Sequence, residues 1–252
     1  MFGRVPVVNS QQPDFEYASM PHARFVVLST LFFIMVASST VAAQNIPSSY
    51  TFIEFSQEWA VFVGRSNINP GQLGLGPRNA TVLGGRYAVT FGGAMGLDLS
   101  GSVFTSTRDI LDVSRPVDDR VLGRSDITLA LVDLRLRLNL TGQRAWRGLQ
   151  PFIAFGGGVA STASTPRVVE TFSELPKEEW YNFGTRFAGS FGGGANFHVS
   201  NKISLRLDGV MNLWKIATPV GWLTVEADPL DENPKDEWVS AKSITLAASW
   251  RF

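Results

Sequence analysis

Cysteine is absent from the 252 residues, which removes disulfide frameworks, zinc-thiolate sites, iron-sulfur clusters and cysteine nucleophiles at once. Charge is scarce as well. Only 17% of residues are charged, and Lys+Arg 22 balances Asp+Glu 22 with no basic run, so there is no electrostatic footprint for nucleic acid. With 44% hydrophobic residues the chain is still too apolar to stay disordered. Long hydrophobic runs are missing too: FVVLSTLFFIMVA at 25–37 has 13 residues, short of the roughly 20 that a helix needs to cross a hydrocarbon core.

That run fits the core of a signal peptide. Arg24 precedes it, and Val41-Ala42-Ala43 places small residues where a signal peptidase reads, so cleavage is expected after Ala43. Asp14 and Glu16 suit no leader, which makes Met20 an alternative start. The chain divides into 1–43 (an extension plus the signal peptide), 44–56 (a periplasmic N-terminal segment) and 57–252 (the folded body).

Glycine (24 residues) and aromatics (12%) are plentiful, and the body repeats one pattern: about ten residues of alternation, then a turn. In 127–140, Val132, Leu134, Leu136, Leu138 and Leu140 interleave with Asp133, Arg135, Arg137 and Asn139. Period two is a strand signal, because a helix would space its apolar residues three and four apart. Strands are expected near 57–66, 81–91, 95–107, 127–140, 150–162, 184–198, 203–216 and 241–252. Every second connection is short, which a soluble sandwich has no reason to maintain. An outer-membrane barrel has that asymmetry, with short periplasmic turns and long extracellular loops. The fold expected is all-β, an eight-stranded antiparallel up-and-down transmembrane β-barrel. Trp59, Phe91, Trp214, Trp238, Trp250 and Phe252 lie near strand ends, where interface girdles form.

The last strand, in which Ile244, Leu246, Ala248, Trp250 and Phe252 alternate with Thr245, Ala247, Ser249 and Arg251, resembles the closing strand of bacterial outer-membrane barrels. Residues 193–208 resemble the turn joining two late strands of the OmpA-like and opacity-type eight-stranded family, and 149–159 resemble the strand before it. The resemblance implies an outer-membrane protein whose terminal Trp250 and Phe252 are an assembly signal for the barrel-assembly machinery. It further implies contact with outer-membrane lipid and lipopolysaccharide, and a monomer.

If apolar positions face lipid, the lumen receives Glu58, Arg86, Asp98, Asp133, Arg135, Arg137, Arg186, Arg206, Asp208 and Arg251, six bases against four acids. Eight strands enclose room for side chains alone, so these groups must pair and fill the interior, and a wide pore is excluded. The alternative is a narrow, gated, cation-repelling conduit lined by Arg135, Arg137 and Arg206. Gly156–Gly158 and Gly192–Gly194 lack a following Lys-Ser/Thr and so make no phosphate loop; they leave room for arginines or permit bending.

His198, the one histidine after the leader, excludes a multi-histidine metal site. His198-Val199-Ser200 resembles the His-x-Ser pair of outer-membrane lipid A deacylases, whose serine needs a base and an orienting acid. It falls at a periplasmic turn, away from the outer leaflet, and the matching downstream position is Asn212 rather than an acid, so His198 reads as a rim residue. The segments 163–183 and 217–240 hold ten acids against Arg167, Lys177 and Lys235 and no cation-loop spacing, which reads as loops kept extended by self-repulsion. The function expected is structural or surface-interacting and non-enzymatic, with no cofactor, metal or catalytic residue and with external loops contacting a ligand. A conduit is the alternative, and a lipid A hydrolase is the weakest reading.

Overall fold

Side chains alternating between an inward and an outward face, period two, drive the body into strands. The computed structural model describes residues 48–54, 57–163, 175–224 and 235–252. The signal segment and its cleavage site, with Arg167, Glu170, Glu174, Glu226, Asp228, Asp231 and Glu232, lie outside the described residues. The strands are β1 (Tyr50–Phe52), β2 (Gln57–Ile68), β3 (Ala80–Phe91), β4 (Met95–Leu111), β5 (Val121–Asn139), β6 (Arg144–Trp146), β7 (Leu149–Thr162), β8 (Thr185–His198), β9 (Ile203–Ala217) and β10 (Asp236–Arg251). A short α-helix, α1 (Val220–Thr224), lies between β9 and β10.

Eight of these strands form a closed antiparallel ring. Each pairs with the next, and β10 pairs with β2 over Ala241–Arg251, which leaves no free edge. Closure is obligatory in lipid, where an unpaired backbone group costs several kcal/mol. The remaining two, β1 and β6, pair with each other at the short-turn end. Of the segment expected at 44–56, Tyr50–Phe52 therefore lie against Arg144–Trp146.

The register fixes the geometry. Following paired residues around the ring from Glu58, through Ala88, Asp98, Arg135, Gly156, Ser190, Asn212 and Ala241, returns to β2 at Ile68, ten residues further on. That stagger over eight strands sets a tilt of about 40° and a backbone radius of about 8 Å, at ~3.3 Å per residue and ~4.8 Å between strands.

The outer surface is apolar over a defined height. On β9 the exposed series runs Ile203, Leu205, Leu207, Gly209 and Leu213, and on β3 it includes Leu83, Tyr87 and Phe91. At that tilt the two series rise roughly 20 to 25 Å, close to the height of an outer-membrane apolar band at about 25 Å. Trp59, Phe91, Trp250 and Phe252 are exposed at the short-turn edge of the band, and Trp238 is exposed beyond its other edge. The expected girdle member Trp214 is instead buried inside the ring, edge-on to Phe183 at 5.9 Å.

Beyond the band, toward the long loops, the polarity inverts. Ile127, Leu129 and Leu131 of β5 and Phe104 of β4 point inward, while Asp126 and Thr105 point out. With water outside, the exterior there must be polar and the interior becomes an ordinary apolar core. The loops join it. Tyr181 and Phe183 before β8 and Trp222 of α1 are buried in the same cluster as Leu129 and Trp214. This corrects the expectation of self-repelling, extended loops for the parts described. Burial pushes the Tyr181 phenol well above its ordinary pKa, and Arg108 stacks on its ring at 5.1 Å.

Candidate functional site

The inward positions at band level carry the charge. Two strands contribute pairs two residues apart on one face, Asp133 with Arg135 on β5 and Arg206 with Asp208 on β9; the period of two aims both members into the lumen. Glu58, Arg86, Asp98 and Arg137 complete the cluster from β2, β3, β4 and β5.

Arg206 is its centre and is completely buried. Its Nη1 lies 2.9 Å from Asp98 Oδ2, its Nη2 lies 2.8 Å from Asp208 Oδ1, and its guanidinium sits 4.0 Å over the Phe152 ring. Arg86 Nη1 reaches Asp208 Oδ2 at 3.1 Å. Arg137 spans Glu58 Oε1 at 3.2 Å and Asp98 Oδ1 at 3.5 Å, and donates to Thr90 Oγ1 at 3.1 Å. Arg135 Nε pairs with Asp133 Oδ2 at 2.9 Å, and the Ser100 hydroxyl donates to the same carboxylate through a short hydrogen bond.

Eight of the ten residues expected in the lumen network therefore meet, four arginines with four carboxylates. The other two do not join. Arg186 sits near the long-loop rim, where its Nε donates to Phe183 O at 2.9 Å. Arg251 lies at the short-turn end and donates to Ser200 O. The apparent excess of positive charge thus resolves into a balanced cluster with a cation near each mouth. Arg135, Arg137 and Arg206, the expected conduit lining, are each neutralised by a carboxylate. Between these groups remain spaces of about 30 Å³, beside Arg86 and Asp133, and about 20 Å³, beside Glu58 and Arg137, each on the scale of a single water.

The glycine triplets act on strands rather than on arginines. A Cβ at Gly194 would fall 1.9 Å from Leu207 O and one at Gly156 2.0 Å from Leu134 O, so these positions allow close approach of the neighbouring backbone. Gly96, outside the triplets, is the glycine whose Cβ would meet Arg137, at 3.0 Å.

The hydrolase constellation does not assemble. His198 Nε2 faces Gln150 Oε1 at 3.2 Å, and the Ser200 hydroxyl oxygen accepts from the Lys202 and Ile203 amides of its own turn at 3.3 and 3.1 Å. Asn212 Oδ1 accepts from Ser190 at 2.9 Å, well up the lumen.

Sequence reasoning missed the apolar plug above the charges, although it left a signal. Where the exterior changes from lipid to water, the inward and outward apolar series exchange phase and two bulky residues fall side by side: Val82-Leu83, Val103-Phe104, Leu131-Val132 and Leu213-Trp214. Four such doublets at matching heights mark the edge of the band.

No family model matches the chain, and no curated protein matches it. Solved structures similar in fold include Neisserial surface protein A, at 8% identity over 81% of this chain and 98% of that one, TM-score 0.43. The outer membrane protein OprG from Pseudomonas aeruginosa is 13% identical over 79% of this chain and 97% of its own, TM-score 0.47. The N-terminal β-barrel domain of Pseudomonas aeruginosa OprF is 10% identical over 79% of this chain and 100% of its own, TM-score 0.41.

Proposed function

We propose that the protein is an integral outer-membrane barrel with a closed lumen, a non-enzymatic scaffold that presents its long loops to the cell exterior as a contact surface. The observation that carries this reading is the fully buried Arg206 held between Asp98 and Asp208, with an apolar plug from Phe104 to Trp214 stacked above it. A lumen filled and neutralised in this way supports a stable body and leaves the variable chemistry to the loops. In this reading the short turns face the periplasm, and the leader is removed after Ala43. Trp250 and Phe252 are read by the barrel-assembly machinery, lipid and lipopolysaccharide surround the apolar band, and the protein works as a monomer.

Planar-bilayer conductance of the refolded protein tests it, once heat-dependent gel mobility has shown that a barrel formed. A folded barrel that gives no discrete steps supports the scaffold. Anion-preferring steps abolished by Arg135→Glu would overturn it and make the lumen a conduit.

A further inference from the structure

At the long-loop edge of the apolar band, each strand presents a first outward polar residue. Around the ring β3, β4, β5, β7 and β8 place Thr81, Thr105, Thr128, Ser161 and Thr185 there, all neutral. The three consecutive strands β9, β10 and β2 place Lys215, Lys242 and Arg65 instead. The positive charge of this level is therefore confined to one contiguous side of the barrel.

The register sets their spacing. Lys242 pairs with Asn67 and Ile244 pairs with Arg65, so Arg65 and Lys242 are diagonal neighbours on the outer face, roughly 7–8 Å apart. Lys215, on the next strand, lies four residues beyond Met211, the partner of Lys242, hence roughly 13 Å further toward the long loops, opposite Trp238 and with its ammonium 5.5 Å over the exposed indole. Among the described residues no carboxylate pairs with any of the three. The other exposed arginines at this end do have partners: Arg78 and Arg124 share Asp109, at 2.7 and 3.2 Å, and Arg115 holds Asp112 at 3.1 Å. On the outer face of β9, β10 and β2 the one described carboxylate is Asp236, at the head of β10, a diagonal neighbour of Lys215 that makes no ion pair with it, while Arg65 and Lys242 have no carboxylate beside them on that face.

Directly beneath the row the surface is apolar, with Val63, Ile244, Leu246 and Leu213 exposed. A ligand that satisfies both levels carries anionic groups on an acyl body. Long cationic side chains at a band edge reach up to the headgroup level while their stems lie on the apolar surface, and an indole favours that same layer.

We infer that Arg65, Lys242 and Lys215 form a docking site for the phosphate groups of a phosphorylated lipid seated in the leaflet at the long-loop end. The inference rests on the transmembrane reading above and deepens it, because it gives the barrel one preferred lipid-binding side. The phosphates lie against the three cations, and the acyl chains follow β9, β10 and β2 down the band.

The full-length protein, purified folded in detergent micelles, is titrated with diphosphorylated lipid A and, separately, with the same lipid dephosphorylated. The wild type binds the phosphorylated form more tightly. Each cation is worth about fivefold in affinity, so Arg65→Gln/Lys215→Gln/Lys242→Gln loses about 100-fold and brings the two lipids level. Lys215→Arg/Lys242→Arg keeps the preference, and Arg78→Gln/Arg124→Gln, whose arginines already face Asp109, leaves it unchanged. Equal binding of both lipids by the wild type, or full retention by the triple variant, would overturn the site. Displacement by millimolar inorganic pyrophosphate would show a site for free phosphate and overturn the lipid assignment. Heat-dependent gel mobility is read on every variant, and single substitutions replace the triple if it does not fold. Loss of that mobility in the wild type counts against the barrel reading itself, which keeps the two failures apart.

Discussion

Replacing Arg206 by glutamine tests the lumen cluster where it is most demanding. The guanidinium is fully buried, sits within 2.9 Å of both Asp98 and Asp208, and stacks on Phe152. Removing it strands two carboxylates that are themselves inaccessible to solvent, with Arg86 and Arg137 the nearest compensation at 3.1 and 3.5 Å. Breaking a buried pair from one side costs about 3–5 kcal/mol, because the partner charge stays buried. The two remaining arginines recover part of that, so the loss expected is about 3 kcal/mol. Urea unfolding of the refolded barrel in detergent micelles, followed by tryptophan fluorescence, measures it. Arg206→Gln/Asp208→Asn removes one stranded charge, and the double variant should lose at least ~1 kcal/mol less than the sum of the single losses. Arg186→Gln, at the rim and bonded to a backbone carbonyl, should cost under ~1 kcal/mol. Equal small losses for Arg206→Gln and Arg186→Gln, with no coupling to Asp208, would refute the reasoning.

Gly194→Ala should destabilise the β8–β9 pairing by about 1–3 kcal/mol, since its Cβ would meet Leu207 O, whereas Gly189→Ala, with nothing within 4 Å, should be neutral. The folded fraction on a semi-native gel separates the two, and equal yields would count against the close-approach argument. Trp214→Ala should cost about 3–5 kcal/mol through the cavity it leaves inside the ring, and the exposed Trp238→Ala far less. Urea midpoints in the reverse order would contradict the inward placement of Trp214. Deleting Phe252 should lower the yield of folded protein in outer-membrane fractions, and a normal yield would argue against its reading as an assembly signal.

Strand positions were legible because alternation survives in the raw sequence. The segment expected at 203–216 is Ile203–Ala217, and that expected at 95–107 continues only to Leu111. The last strand starts at Asp236 rather than at the expected 241, and that expected at 127–140 starts at Val121, because Asp236 to Ser240 and Val121 to Asp126 pair above the band, where bulky apolar alternation no longer marks the outer face. The same boundary hid the apolar plug. A rule that sends every apolar residue to lipid fails once water lies outside, and it misassigns Trp214. The charged lumen was legible as a set of residues but not as pairs. Pairing depends on a ten-residue stagger that brings Arg206 beside Asp98 and Arg137 beside Glu58. The same stagger leaves Arg186 and Arg251 at opposite ends of the barrel. Local sequence does not encode that stagger.

At the height of the membrane the barrel is apolar outside and charged inside, and the absence of cysteine makes that phase directly testable. Single cysteines placed along β9 at Ser204, Leu205, Leu207, Val210, Asn212 and Leu213 are labelled with a small fluorophore in liposomes and quenched with a nitroxide carried on the lipid chains. Strong quenching at 205, 207 and 213 with protection at 204, 210 and 212 is the predicted result. Uniform quenching along the strand, or the opposite phase, would contradict it.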